Sequence, residues 1–188
     1  DEDAEACRKI GEYGSTLIKD GMKILTHCNA GWLAFVDNGS ALSPIFHAHR
    51  ENKKIFVFVD ETRPRQQGSK LTAYELVNEG IPHAIIADNA SGHYIYKGDV
   101  QMIITGADRV LASDGSTFNK IGTYTRAVLA KQNNIPFYVA MPTSTIDFET
   151  KSAKDVIIEE RSEDEVLYIT GVNKKGEVDT VRIAPKGS

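Results

Sequence analysis

The chain has 188 residues, 41% of them hydrophobic and 26% charged, with a net charge of −4. That length suits one α/β domain with a buried core, and the ordinary balance excludes a disordered tail. No run or stripe of Lys and Arg stands out, which excludes a dedicated nucleic-acid binder; no apolar stretch approaches the roughly 20 residues that cross a bilayer.

The acidic start Asp1-Glu2-Asp3 is the opposite of a basic targeting segment, so a cytoplasmic protein is expected. The opening helix carries the stripe Ala4, Cys7, Ile10, Leu17 and Ile18, spaced for one face, and Gly21 is expected to cap it. Cys7 then reads as a core residue. The two cysteines, Cys7 and Cys28, make no disulfide framework. Among five histidines, His47 and His49 point apart on a predicted helix. No set has zinc-ligand spacing, so no metal is expected.

After the first helix, β-rich runs alternate with helical segments. The strands are expected at Lys23 to Thr26, Lys54 to Val59, Ala84 to Ala87, Val100 to Thr105 and Pro136 to Ala140. The helices are expected at Ser40 to Glu51, Gly68 to Glu79, Ser91 to Tyr96 and Asn119 to Gln132. Apolar runs this short and unbroken suit strands covered on both faces. The alternation predicts one α/β domain over residues 1–188, doubly wound and Rossmann-like, with a mostly parallel sheet and helices on both faces.

A polar cluster follows each of the first four strands: Thr26-His27-Cys28-Asn29, Asp60-Glu61-Thr62-Arg63, Asp88-Asn89 and Gly106-Ala107-Asp108-Arg109. Open parallel sheets bind ligands beyond the carboxyl ends of their strands, where strand order reverses. A thiol, carboxylates, an arginine and an amide therefore converge on one rim, although any single cluster could equally be caps and loop formers. Arg63 is as open to pairing with a neighbouring carboxylate as to touching a ligand.

Phe118-Asn119-Lys120-Ile121-Gly122-Thr123 is expected to open a helix. Free N–H groups, a positive dipole end and the Lys120 charge suit a phosphate there, while Asn119 also suits a plain N-cap. Neither a Walker A loop nor a G-x-G-x-x-G turn after a strand is present, so no dinucleotide cofactor is expected. The acidic stretch Glu159 to Glu165 reads as a solvated surface.

The runs Ile24-Leu25-Thr26-His27-Cys28-Asn29-Ala30-Gly31, Asp60-Glu61-Thr62-Arg63-Pro64-Arg65, Gly106-Ala107-Asp108-Arg109 and Asn119-Lys120-Ile121-Gly122-Thr123-Tyr124 resemble the methylthioribose-1-phosphate isomerase family. That family shares a superfamily with ribose-1,5-bisphosphate isomerase and the regulatory subunits of translation initiation factor 2B. The likeness continues through Ser144-Thr145-Ile146-Asp147 and Ile158-Glu159-Glu160-Arg161. It implies a cofactor-free aldose–ketose isomerase acting on 5-methylthioribose 1-phosphate in methionine salvage. Cys28 would be the reactive cysteine and Asp108 the acid/base carboxylate. Gln67, Asn119 and Lys120 would contact the substrate.

The resemblance also implies a homodimer, in the cytoplasm with the nucleus as a second location. The family's N-terminal domain has an Arg-Gly-Ala run that does not occur here, so the chain is expected to be its C-terminal catalytic domain, needing that domain or a companion fragment to hold the sugar phosphate. The rival readings are an isomerase of ribose 1,5-bisphosphate or 5-deoxyribose 1-phosphate, and a non-catalytic translation-factor subunit. The joint presence of Cys28 and Asp108 separates the enzymes from the last. Protonating a furanose ring oxygen calls for a carboxyl lifted toward neutrality, so Asp108 is expected in a dry cleft.

Overall fold

Residues 2–188 are described by a computed structural model. In chain order the main elements are α1 (Glu2–Ser15), β1 (Lys23–His27), α2 (Ser43–Arg50), β2 (Phe56–Asp60), α3 (Ala73–Asn78), β3 (His83–Ile86), α4 (Ala90–Tyr96) and β4 (Met102–Thr105). There follow β5 (Arg109–Leu111), β6 (Thr117–Phe118), α5 (Thr123–Gln132), β7 (Phe137–Val139), β8 (Ile146–Asp147), α6 (Asp164–Leu167), β9 (Tyr168–Val172) and β10 (Val178–Arg182). One five-stranded parallel sheet has the order β3-β2-β1-β4-β7. The chain winds outward from β1 to β3, then crosses to the other side of β1, so strand order reverses between β1 and β4. The predicted fold class is correct.

Side chains two apart along a strand share a face, and the apolar residues divide accordingly. Ile24, Val57, Val59, Met102 and Ile104 join Leu42, Ile45, Phe46 and Leu76 beneath α2 and α3. Leu25, Phe58 and Ile103 join Ile95 and Ala130 beneath α4 and α5. Both faces are thus covered, and each such side chain contributes on the order of 1.5–3 kcal/mol by leaving water.

Several local expectations need correction. The helix α1 stops at Ser15 and tightens into short turns, with the Thr16, Leu17 and Ile18 amides donating to Tyr13, Gly14 and Ser15 carbonyls at 3.1–3.3 Å. This rotation buries Ile18 and exposes Leu17. The face actually buried is Cys7, Gly11 and Ser15; the Ser43 hydroxyl of α2 donates to the Cys7 carbonyl at 2.9 Å. Gly21 does not cap α1 but serves a later turn, its N–H donating to the Lys54 carbonyl at 2.7 Å. The helix expected from Asn119 begins at Thr123, because Gly122 has φ +105° and holds the preceding residues out of helical geometry.

The expected helix from Gly68 opens as a π-helical turn, Gly68–Thr72, before α3. The small sheets β6-β5-β8 and β10-β9 lie outside the five predicted strands. They are short or largely exposed, so they lack the apolar runs that mark buried strands. Among the described residues no helix is long and apolar enough to cross a membrane.

Candidate active site

The carboxyl ends of β1, β2 and β3 are tied together by direct hydrogen bonds, and β4 lies beside β1. Cys28 directly follows β1 and has φ +66°, a left-handed conformation that costs a β-carbon-bearing residue energy unless its surroundings hold it. Two threonines do so. The Cys28 N–H donates to Thr62 Oγ1 at 2.9 Å, and the Thr72 hydroxyl donates to the Cys28 carbonyl at 2.7 Å. Thr62, itself at φ +65°, is held by Asp88, whose two carboxylate oxygens accept the Thr62 and Arg63 N–H groups at 2.9 and 2.7 Å.

Beneath the rim lies a buried charge network. His27 Nδ1 is 2.9 Å from Asp60 Oδ2, and its Nε2 is 2.7 Å from the Ile121 carbonyl. The same Asp60 oxygen accepts Arg126 Nε at 2.7 Å, while Arg126 Nη2 donates to the Asp88 carbonyl at 2.5 Å. His27, Asp60 and Asp88 offer atoms close enough together to hold a metal ion. The guanidinium of Arg126 already supplies positive charge to this cluster, on Asp60 and 3.6 Å from Asp88. A second cation would meet it at short range.

The following loop is held from inside the fold by Glu75, which accepts from Asn29 Nδ2 and from the Trp32 and Leu33 backbone N–H groups at 2.8–3.2 Å. Gly31 is required here, since an added β-carbon would stand 1.7 Å from Glu75 Oε2. Burial pushes the Glu75 carboxyl up from its ordinary 4.5, against the opposing pull of those three donors. A carboxyl whose folded value is raised stabilises most below its unfolded value, and that contribution fades as pH climbs through the folded one. Glu75→Gln, which does not titrate, is expected to flatten the fall in urea midpoint as pH climbs above about 4.5. Glu75→Ala is expected to cost about 2–4 kcal/mol by stranding buried N–H groups. An unchanged pH slope in Glu75→Gln would contradict this.

The sequence-predicted site residues occupy three places. Cys28 is a half-buried free thiol at the β1 tip. Burial pushes it up, Asp108 adds to the rise, and the Asn29 backbone N–H and the Lys120 charge oppose it. Asp108, Asn119 and Lys120 line one cavity of about 560 Å³, together with apolar Val156, Ile157 and Val166. Gln67 lines an adjoining cleft of about 860 Å³ with Leu71 and Tyr168. Pro64, Arg65 and Glu165 border both, and Arg65 Nε lies 3.9 Å from Glu165 Oε1. Among the described residues the buried Gln67 Oε1 has no hydrogen-bond partner.

Asp108 departs from expectation. It is exposed on the cavity wall, because the chain past β4 is pinned by the Asp108 N–H to the Phe118 carbonyl at 2.8 Å, which leaves the carboxyl at the mouth. Asn119 is not an N-cap; its side-chain amide donates to Thr123 Oγ1 at 3.0 Å, in the loop before α5. Arg63 pairs with carbonyls rather than a carboxylate, donating to Pro64 and Val166 oxygens at 3.0 and 2.9 Å. Arg109 turns away to Asp147 at 2.8 Å. The Thr150 N–H and hydroxyl, with that arginine, hold Asp147 down at about 2. The stretch Glu159 to Glu165 is exposed as expected except at its end, where Glu165 is half-buried beside Arg161 and Arg65.

Sequence reasoning placed His27 in a rim cluster without giving it a role, and it missed Arg126. The first stands inside the motif that carries Cys28, which was signal enough; the second sits mid-helix, and nothing in its neighbourhood marks it.

The whole chain can be compared with known proteins. It is 52% identical to a methylthioribose-1-phosphate isomerase of Gluconobacter oxydans, covering 100% of this chain and 54% of that one. A solved 5-methylthioribose 1-phosphate isomerase of Pyrococcus horikoshii OT3 superposes with TM-score 0.86 at 43% identity, over 100% of this chain and 49% of that one. A solved A. fulgidus protein described as the delta subunit of translation initiation factor eIF-2B gives 0.87 at 47% identity, over 100% and 52%. The chain spans about half the length of the curated relatives it matches. The initiation factor 2 subunit family matches residues 1–184, and the chain belongs to that family.

Proposed function

We propose that this chain is the catalytic domain of an aldose–ketose isomerase that converts 5-methylthioribose 1-phosphate to 5-methylthioribulose 1-phosphate. The observation that carries the reading is the pairing of β1 with β4, which sets the thiol of Cys28 and the carboxyl of Asp108 past neighbouring strand ends at the reversal point. The isomerase relatives support the choice of reaction.

In this reading, Asp108 gives a proton to the ring oxygen as the bond from that oxygen to C1 breaks. The hydrogen on C2 passes to C1, as a proton by way of Cys28 or as a hydride past it, while the 2-hydroxyl loses its proton and becomes the ketone. The proton given to the ring and the proton released from the hydroxyl balance. Lys120 and Asn119 hold the phosphate end, and Gln67 meets the sugar across the Arg65–Glu165 boundary. Asp108 needs a drier setting than the open cavity. Substrate, and the part of the longer protein outside this chain, supply it by covering the mouth. The working enzyme is read as a homodimer in which residues 1–188 form one domain.

A second reading, a non-catalytic translation-factor subunit, draws on the A. fulgidus likeness. Incubating the full-length protein with 5-methylthioribose 1-phosphate, ribose 1,5-bisphosphate and 5-deoxyribose 1-phosphate decides among the readings. The first should turn over fastest. Faster conversion of another would move the assignment to that substrate, and no conversion of any would favour the second reading.

A further inference from the structure

We propose that His27 is a positioning residue: gripped between the Asp60 carboxylate and the Ile121 carbonyl, its ring locks the Asn119–Lys120 loop to the strand tip that carries Cys28. It is rooted in the main sheet yet reaches the loop before α5. Its backbone belongs to β1, and the next residue is Cys28. Its Nε2 lies 2.7 Å from the Ile121 carbonyl, one residue past Lys120. An Nε2–H donating to that oxygen, with Nδ1 on Asp60 at 2.9 Å, fixes the ring at both ends. The contact is almost fully enclosed, with the His27 side chain 1% and the Asp60 side chain 0% exposed.

Gly122 is shaped to this ring. A β-carbon there would stand 2.8 Å from His27 Cε1 and Nε2 and 3.0 Å from Arg126 Nη1, and the residue's φ of +105° suits glycine. Arg126 holds the other side of the same loop by donating to the Gly122 carbonyl at 3.3 Å. The loop bearing Lys120 is therefore fastened to the sheet by two buried side chains that share Asp60. The charges that bear on the Cys28 thiol are Lys120, which favours the thiolate, and Asp108, which opposes it, so displacement of the Lys120 loop weakens the favourable one.

This role rests on the reading of Cys28 as the reacting thiol, but its test needs no substrate, so the two can fail separately. Alkylation of Cys28 by iodoacetamide is followed across pH in the full-length protein, with the fully buried Cys7 as an internal unreactive reference. His27→Phe is expected to slow alkylation near neutral pH about threefold to tenfold and to move the pH profile upward, as Lys120→Met does. The double variant should be no slower than Lys120→Met alone, since both changes remove the same charge from the thiol. A purely structural role predicts otherwise: a loosened turn speeds alkylation at every pH. Faster or unchanged alkylation, or effects that multiply in the double variant, overturns the proposal. If His27→Phe does not fold, Gly122→Ala crowds the ring off the Ile121 carbonyl without removing a titratable group and is judged by the same outcomes.

Discussion

Cys28→Ala and Asp108→Asn, made separately in the full-length protein, are each expected to lower kcat for 5-methylthioribose 1-phosphate by about 10²- to 10⁴-fold. The fall should appear equally in kcat/KM, with KM little changed, because in the proposed mechanism both groups act on bonds that change in the transition state. Folding should survive. Cys28 is held through its backbone by Thr62 and Thr72, and these bonds do not involve the thiol. Asp108 is exposed, and its backbone N–H to the Phe118 carbonyl remains. Circular dichroism and a urea midpoint close to wild type would therefore accompany the lost turnover. Near-normal turnover in either variant would remove that residue from the chemistry.

The largest stability effect is expected at Arg126. Its side chain is 4% exposed and lies on the Asp60 carboxylate, whose side chain is 0% exposed. Arg126→Met would leave that carboxylate buried without its guanidinium partner, and breaking such a pair from one side costs about 3–5 kcal/mol. The double variant Asp60→Asn with Arg126→Met should cost clearly less than the sum of the single changes, because the stranded charge is gone. Urea unfolding measures both. Additive losses would mean that the two residues do not act as a pair. Among the described residues the buried Asp60 Oδ1 has no partner of its own, which makes this cluster dependent on the bonds that Oδ2 does make.

The parallel core was legible because it is written in unbroken apolar runs. Ile24, Leu25, Val57, Phe58 and Val59 announce strands covered on both sides, and their alternation already divides them between the two layers. The strand order was not legible, since short runs of similar composition do not say which neighbours which. The boundary errors have local causes. A single left-handed glycine at 122 delays α5 past Asn119, and a tightened helix end replaces Leu17 with Ile18 in the core.

The candidate site was legible by type and less so by arrangement. The polar clusters after the first four strands do meet at one rim, because parallel strands all present their carboxyl ends on the same side. The depth of each side chain was not readable. Asp60 and His27, which look like rim residues in the sequence, are buried and structural in contact, while Asp108, expected deep, stands exposed. Burial depends on what packs near the strand ends, and here the segment Val156–Val166, which shares the Asp108 cavity, begins 48 residues further along the chain.

The most direct test is a structure of the full-length Asp108→Asn protein with 5-methylthioribose 1-phosphate trapped in it. The sugar is expected to lie between the tips of β1 and β4, its ring oxygen within about 3 Å of the side chain at position 108, with Cys28 Sγ against C1 or C2. A sugar phosphate lodged instead in the larger cleft beside Leu71 and Tyr168, out of reach of both side chains, would contradict the account.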